Sequence, residues 1–368
     1  MLVAGARPNF MKIAPVLKAL DRAGHRSVVV HTGQHYDDRM SASFFRDLEI
    51  RSPDFHLGVG SGTHAVQTAR IMEAFEPVLL ETRPDWVLVP GDVNSTVACA
   101  LVCTKLKEQT GARLAHLEAG LRSNDWRMPE EVNRVLTDRC ADLLLIPSRD
   151  AEQNLAIEGI DPSRIVFVGN VMIDTLLERL PVARRKAVAE QMGLPHGHFV
   201  MATLHRPSNV DDPAALRTCL EGLATIAHEM PVVLALHPRT AKQVEAFGLN
   251  DLLSSLRVTE PLPYLDMLSL VDAAAVVVTD SGGVQEETTA LGIPCVTLRE
   301  QTERPVTIEQ GTNRLAPWPL TVGGIRTTFD AALAQGRVGV GERAPEGWDG
   351  SAAERVVAAL EVEVEVEG

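Results

Sequence analysis

Short apolar runs recur along this chain, each followed by a stretch with helical spacing, and this alternation constrains the fold more than any other feature. LVAG (2–5), SVVVHT (27–32), WVLVPG (86–91), RLAHLEAG (113–120), LLLIPS (143–148) and RIVFVGN (164–170) read as strands, with helical stretches around 8–22, 63–82, 94–108, 130–140 and 150–158. Near-continuous apolar strands with helices between them imply a parallel sheet covered on both faces. The pattern restarts with FVMATLH (199–205), VVLALH (232–237), LRVTEP (256–261), AVVVTD (275–280) and CVTLRE (295–300), with helices near 213–229, 263–272 and 283–291. The expectation is α/β: two Rossmann-like, doubly wound domains, over 1–175 and 176–350. A terminal helix and acidic tail follow over 351–368, frayed or disordered at the EVEVEVEG end. Two such domains leave an interdomain cleft, with ligands at the carboxyl ends of the strands.

The chain's 368 residues suffice for two cores. Its net charge of −14 disfavours nucleic acid and acidic membranes as partners, so an anionic ligand needs a locally basic site. No apolar run is long enough to span a bilayer and no charged-then-apolar leader opens the chain, so the expected location is cytoplasmic. The five cysteines match no zinc or disulfide spacing and read as small buried hydrophobes.

Polar residues gather just after the strands. In GARPNFMK (5–12), Gly5 permits a turn, Pro8 suits a first helical turn, and Arg7 and Lys12 stand near a helix N-terminus, where anions bind. Solvated cations on an ordinary turn are the alternative. TGQHYD (32–37) closes the second strand and PGDVNST (90–96) the third, where Asp92 or Asn94 could equally be a helix cap. TLHRPSN (203–209) and HPRT (237–240) put His205 and His237 at the ends of successive strands of the second half. TDSGGVQEE (279–287) reads as an anion site, with Ser281, Gly282 and Gly283 opening a helix. Glu287, one turn in, could accept the hydroxyls of a ribose. REQTERP (299–305) adds Arg304. HLEAGLRSNDWRMPEEVNR (116–134) feeds Glu118, Glu130, Glu131 and Arg134 into the end of a buried strand. No metal constellation and no GxSxG elbow occurs.

Taken in order from residue 5 to about 315, these motifs, with GNVMIDTL and EPLPYLDML, resemble the non-hydrolysing UDP-N-acetylglucosamine 2-epimerases, in forms similar to the archaeal and actinobacterial branch. The resemblance implies a GT-B arrangement and reversible C2 epimerisation of UDP-GlcNAc to UDP-ManNAc. The route is anti elimination of UDP to a 2-acetamidoglucal, followed by re-addition. It also implies no cofactor or metal, a homodimer, and a role in cell-surface polysaccharide biosynthesis. Carried over residue by residue, it makes Asp92, Glu118 and Glu130 the catalytic carboxylates, with His205 near the diphosphate and Arg134 supporting the acids. Arg7, Lys12, Ser281, Gly282, Gly283, Glu287 and Arg304 fall on UDP-binding positions. Around the uracil, where relatives often carry Gln and Phe, this chain has Leu262 and Met267. Gln34, His35, Arg70 and His237 match the site at which some members bind UDP-N-acetylglucosamine as an activator, and Asp37 stands where Gln is common. Three other readings share the same nucleotide site: a hydrolysing 2-epimerase releasing ManNAc and UDP, a GT-B glycosyltransferase, and an inactive nucleotide-sugar binding module.

Overall fold

The structure, a computed structural model, describes residues 1–33 and 47–365. They form two compact units, Met1–Leu177 with Glu346–Gly368, and Glu178–Pro345. The strands of the first unit are β1 (Leu2–Ala4), β2 (Val29–His31), β3 (Phe55–His56), β4 (Trp86–Pro90), β5 (Arg113–Leu117), β6 (Leu143–Ile146) and β7 (Ile165–Phe167). They make one sheet in the order β3-β2-β1-β4-β5-β6-β7. The pairings are parallel, with Val87 beside Leu114 and His116 beside Leu144. The chain starts in the middle of the sheet, winds outward to β3, then returns to wind the other way from β4. The order therefore reverses between β1 and β4, the point where doubly wound sheets open a crevice at their carboxyl ends.

Helices of at least nine residues are numbered here. In the first unit they are α1 (Arg7–Arg22), α2 (His64–Thr82), α3 (Asn94–Lys105), α4 (Pro129–Cys140) and α5 (Arg149–Ile157), and α6 (Val171–Lys186) leads out of it. Proline stands in the first turn of α1 and of α4, where its missing N–H costs nothing. Thr63 caps α2 by accepting from the Val66 N–H. The strands β4 and β6 are buried along their length, and β5 from Leu114 onward, because helices cover both faces. Val87, Val89, Leu114, Leu144, Ile146 and Phe75 form the core of one face. A fully buried side chain of this size contributes about 1.5–3 kcal/mol.

The second unit repeats the plan with β8 (Val200–Leu204), β9 (Val232–Leu236), β10 (Arg257–Thr259), β11 (Val276–Thr279), β12 (Cys295–Thr297) and β13 (Asn313–Leu315), ordered β10-β9-β8-β11-β12-β13. All its pairings are parallel. Its helices are α7 (Pro213–Ala227), α8 (Pro238–Ala246), α9 (Tyr264–Ala273), α10 (Gly282–Leu291) and α11 (Val322–Gln335). The strands β3 and β13 go beyond the sequence expectation. They are short edge strands, too brief to show a period.

The expected terminal helix forms, and it runs on into the tail expected to be frayed. The chain from Glu346 onward belongs to the first unit, and α12 (Ala352–Glu365) is helical through most of the alternating Glu–Val tail. Anchoring at several points holds this segment. Trp348 donates its indole N–H to the Pro147 carbonyl, the Trp86 indole donates to the Leu360 carbonyl, and Arg22 pairs with Glu354. Asp174 accepts from the Ala352 and Ala353 N–H groups at the start of α12. Among the described residues no helix is long and apolar enough to cross a membrane.

Gly120, in the turn after β5, has φ +78°, and a Cβ there would lie 2.7 Å from the Ala151 carbonyl oxygen. Gly159 has a similar φ of +70° with open space around it. We predict that Gly159→Ala lowers stability by about 1–2 kcal/mol, the left-handed penalty alone. Gly120→Ala, which adds a backbone collision, should cost roughly 1–3 kcal/mol more. Equal denaturant midpoints for the two variants would show that close packing at Gly120 does not matter.

Candidate functional site

The polar strand ends of the first unit are held together by buried ion pairs. Glu118 directly follows β5 and adopts φ +70°, a conformation that costs a non-glycine residue about 1–3 kcal/mol and concentrates at functional sites. Its carboxylate is buried and meets the equally buried ammonium of Lys12 from α1. Asn9, one turn before Lys12, fixes the GARPN turn: its Oδ1 accepts from the Gly5 and Ala6 N–H groups, and its Nδ2 donates to the Pro90 carbonyl. The sequence placed Lys12 among anion-binding cations. In the structure its partner is Glu118. Arg7 opens α1.

Asp92 follows β4 and is half-buried. Arg134 Nε lies 3.0 Å and Nη2 2.9 Å from Asp92 Oδ2, so one guanidinium edge grips a single oxygen. Asn133 donates to the Asp92 carbonyl at 2.9 Å and to Asn94 Oδ1. Asn94 is the first residue of α3, and Val93 occupies the cap position.

The two acids of PEE differ in their surroundings. Glu131 is almost wholly buried and acts as a staple, accepting from Ser123 N–H and hydroxyl, from Asn124 N–H and from Arg134. These bonds fold the 121–124 loop back onto α4. Glu130, half-buried in the first turn of α4, makes no hydrogen bond or ion pair with the described residues, and it gains from the positive end of the helix. The sequence set the two side by side, and only packing separates them. His116, Arg122 and Asp138 also belong to this cluster and were not singled out as site residues. Asp138 is wholly buried, which raises a carboxyl's pKa, yet His116 and Arg122 outweigh burial and hold it below the ordinary range.

In the second unit His205 follows β8. Its Nδ1 is 2.9 Å from Asp280 Oδ1, and the ring lies 5.7 Å from that of His237. Asp280 is wholly buried. It also accepts the backbone N–H groups of His205 and Arg206 and the Asn209 amide. Burial raises its pKa, but His205 and these donors prevail and depress it. This Asp280 carboxylate fixes the His205 ring and leaves Nε2 for another partner. His237 caps α8 through Nδ1, and burial, then the nearby His205 charge, lowers its pKa.

Ser281 is the N-cap of α10 and its hydroxyl makes no cap bond, so the first N–H groups of the helix stay available. A Cβ on Gly282 would fall 2.7 Å from Arg304 Nη1, so glycine lets the guanidinium lie against the helix start. Arg304 is gripped by Glu286 and Glu303, and Glu303 also pairs with Arg299 and, at 3.5 Å, with Arg206. Gly283 continues the turn. The Tyr264 phenol is pushed well above its ordinary value by burial and then by the Glu287 charge. Burial, then the Glu286 charge, raises the Glu287 carboxyl to about 8. Leu262 and Met267 flank Tyr264 in sequence, both half-buried.

Of the four activator positions, Gln34 and His35 lie outside the described residues, as does Asp37. Arg70 is exposed on α2 in the first unit, and His237 is beside His205 in the second. Among the described residues no group of three or more His, Cys, Asp or Glu could hold a metal ion.

The family model described as UDP-N-acetylglucosamine 2-epimerase matches residues 18–361. The UDP-N-acetylglucosamine 2-epimerase of Methanocaldococcus jannaschii is 41% identical over 323 residues, covering 85% of this chain and 87% of that protein. The UDP-2,3-diacetamido-2,3-dideoxy-D-glucuronate 2-epimerase of Pseudomonas aeruginosa is 42% identical over 339 residues, covering 90% and 93%. A crystal structure of the M. jannaschii enzyme in complex with UDP-GlcNAc and UDP matches with TM-score 0.87 and 36% identity over 98% of this chain and 99% of that one. The two-unit α/β fold is of the GT-B class.

The raised Glu287 carboxyl yields a signed prediction. The group ionises near 4.5 when exposed and near 8 when native, so between these values the native protein holds a proton that the unfolded chain has lost. Stability therefore falls as pH rises from about 4.5 to about 8. Glu287→Gln is expected to raise the urea midpoint at pH 8.5 relative to the parent and to lose that advantage at pH 4.5. A pH-independent offset would contradict the buried-carboxyl reading.

Proposed function

The chain belongs to the UDP-N-acetylglucosamine 2-epimerase family, and from that premise we propose that it interconverts UDP-GlcNAc and UDP-ManNAc without hydrolysis. The observation that supports this reading is that Asp92 and Glu118 follow the adjacent strands β4 and β5, each paired with a cation, and that Arg134, which grips Asp92, lies one turn after Glu130 on α4. Bound to such carboxylates, the sugar has its C1–O bond cleaved and the bonding electron pair leaves with UDP. A carboxylate takes the C2 proton, and a C1=C2 double bond forms. The reverse steps put a proton on the other face of C2 and rejoin UDP oxygen to C1. The cycle is redox-neutral.

Inversion needs proton transfer on both faces of the ring, so at least two acid–base groups are required. Asp92, Glu118 and Glu130 are assigned to that work, with Arg134 orienting Asp92. Charge accumulates on the departing diphosphate, and fixed positive groups are the physical means of stabilising it. Arg7, Lys12, His205, Arg304 and the Ser281–Gly283 helix start are assigned there. Glu287 takes the ribose, and Leu262 and Met267 the uracil. The paired Lys12 has a second consequence. An ammonium that gives up Glu118 for an incoming phosphate frees that carboxylate as a base. The homodimer, the cytoplasmic location, the service to cell-surface polysaccharide synthesis and the activator site at Gln34, His35, Arg70 and His237 rest on the family resemblance.

The P. aeruginosa relative, 42% identical against 41% for the M. jannaschii one, is named for a diacetamido uronate sugar, so that substrate is the second to assay. In D2O the recovered UDP-sugar is expected to carry deuterium at C2, and retention of protium through full turnover would exclude the elimination route. Asp92→Asn and Glu118→Gln are each expected to lower kcat by about 100- to 10,000-fold while UDP still binds. Near-parent turnover in both variants would remove their catalytic assignment.

A further inference from the structure

His116 stands on β5 two residues before Glu118, and its ring is wholly buried. Its Nε2 is 2.8 Å from the Gly91 carbonyl oxygen and its Nδ1 is 2.6 Å from Asp138 Oδ1. A carbonyl oxygen only accepts, so the nitrogen facing Gly91 carries a proton. Asp138 Oδ2 is occupied by two donors, the Gly120 N–H at 3.1 Å and Arg122 Nη2 at 2.7 Å. An oxygen pair so placed beside a guanidinium is a carboxylate, and it too only accepts. Turning the ring over exchanges the two nitrogens and changes nothing, because both directions end on acceptors.

We propose that His116 is held as a buried imidazolium and acts as a positioning residue, tying the loop that carries Asp92 to the turn that carries Glu118. Its two N–H groups reach Gly91, the residue before Asp92, and Asp138, which in turn holds Gly120, two residues after Glu118. A neutral ring has one N–H and can hold only one of these segments. The cluster balances its own charge, as a buried cation requires: His116 and Arg122 face Asp138 and Glu158, whose carboxylate receives Arg122 Nε at 2.6 Å. Glu118 sits in a strained backbone conformation, and such strain persists only where neighbours over-determine it. The imidazolium supplies part of that restraint. The positioning role rests on the epimerase reading of Asp92 and Glu118, whereas the protonation state does not.

Two measurements test the proposal. Protein labelled with 15N-histidine is examined by NMR at pH 7.5, and the His116 ring is assigned by its loss in His116→Gln. Both ring nitrogens are expected to be protonated, with closely spaced shifts and slowly exchanging N–H protons. One ring nitrogen in the far-downfield, unprotonated position would overturn the proposal. His116→Gln retains a donor near Gly91 and His116→Asn one near Asp138. Each is expected to lower kcat by about a hundredfold with KM for the UDP-sugar nearly unchanged, the signature of misplaced reacting groups rather than lost binding. An unchanged kcat in either variant would refute the positioning role. If the variants do not fold, the His116 ring is assigned in the parent by through-bond correlation to its own backbone, and that NMR result decides. If the parent shows no epimerase activity, the assignment of Asp92 and Glu118 fails while the NMR test of His116 stands.

Discussion

A carboxylate carried to the end of a buried strand costs several kcal/mol unless a cation meets it there, and this constraint organises the polar end of the first unit. Helices cover both faces of a parallel sheet, so chemistry can emerge only where the strands stop. Glu118 meets Lys12, Asp92 and Glu131 share Arg134, and Asp138 is shared by His116 and Arg122. The cations come from several elements: Lys12 from α1, Arg134 from α4, His116 from β5 and Arg122 from the turn after it. The same logic recurs in the second unit, where Asp280 steadies His205 and Glu303 gathers Arg299, Arg304 and Arg206. Groups held this way need little reorganisation when charge develops on a substrate, which is the main physical source of catalytic power in such sites.

The two strand-and-helix cycles were legible in the sequence because period and turn chemistry agree there. The strand ends were legible too, since glycine, proline and charge together after an apolar run have few other uses. What could not be read was partnership. PEE presents two adjacent glutamates, and nothing in their spacing tells that Glu131 turns inward to Ser123, Asn124 and Arg134 while Glu130 is left open. His116 looks like any polar residue late in a strand, and Asp138 like a surface residue of α4. Their contact across 22 positions exists only once β5 and α4 are packed together. How far the terminal helix reaches into the Glu–Val tail could not be read for a related reason: it depends on anchors at Asp174, Arg22 and Trp86, far away in sequence.

The chemistry of the family asks for two things that are difficult to combine, anionic groups near a sugar that becomes cationic and cationic groups near a diphosphate that leaves. On the proposed reading this chain separates them by motif. PGDVNST, HLEAGLRS and MPEEVNR would supply the acids, and TDSGGVQEE and REQTERP a helix start with an arginine laid against Gly282. Lys12, assigned to the diphosphate, is placed directly on the candidate acid Glu118, so on the proposed reading it connects nucleotide recognition to the readiness of Glu118.

Incubating the protein with UDP-N-acetylglucosamine and following the anomeric signals by NMR tests the central claim most directly. A second UDP-linked anomeric signal, that of the C2 epimer, is expected to grow to a constant ratio with the first, reached equally from either sugar. Accumulation of free N-acetylmannosamine with UDP, or no new UDP-sugar at all, would contradict reversible, non-hydrolytic epimerisation.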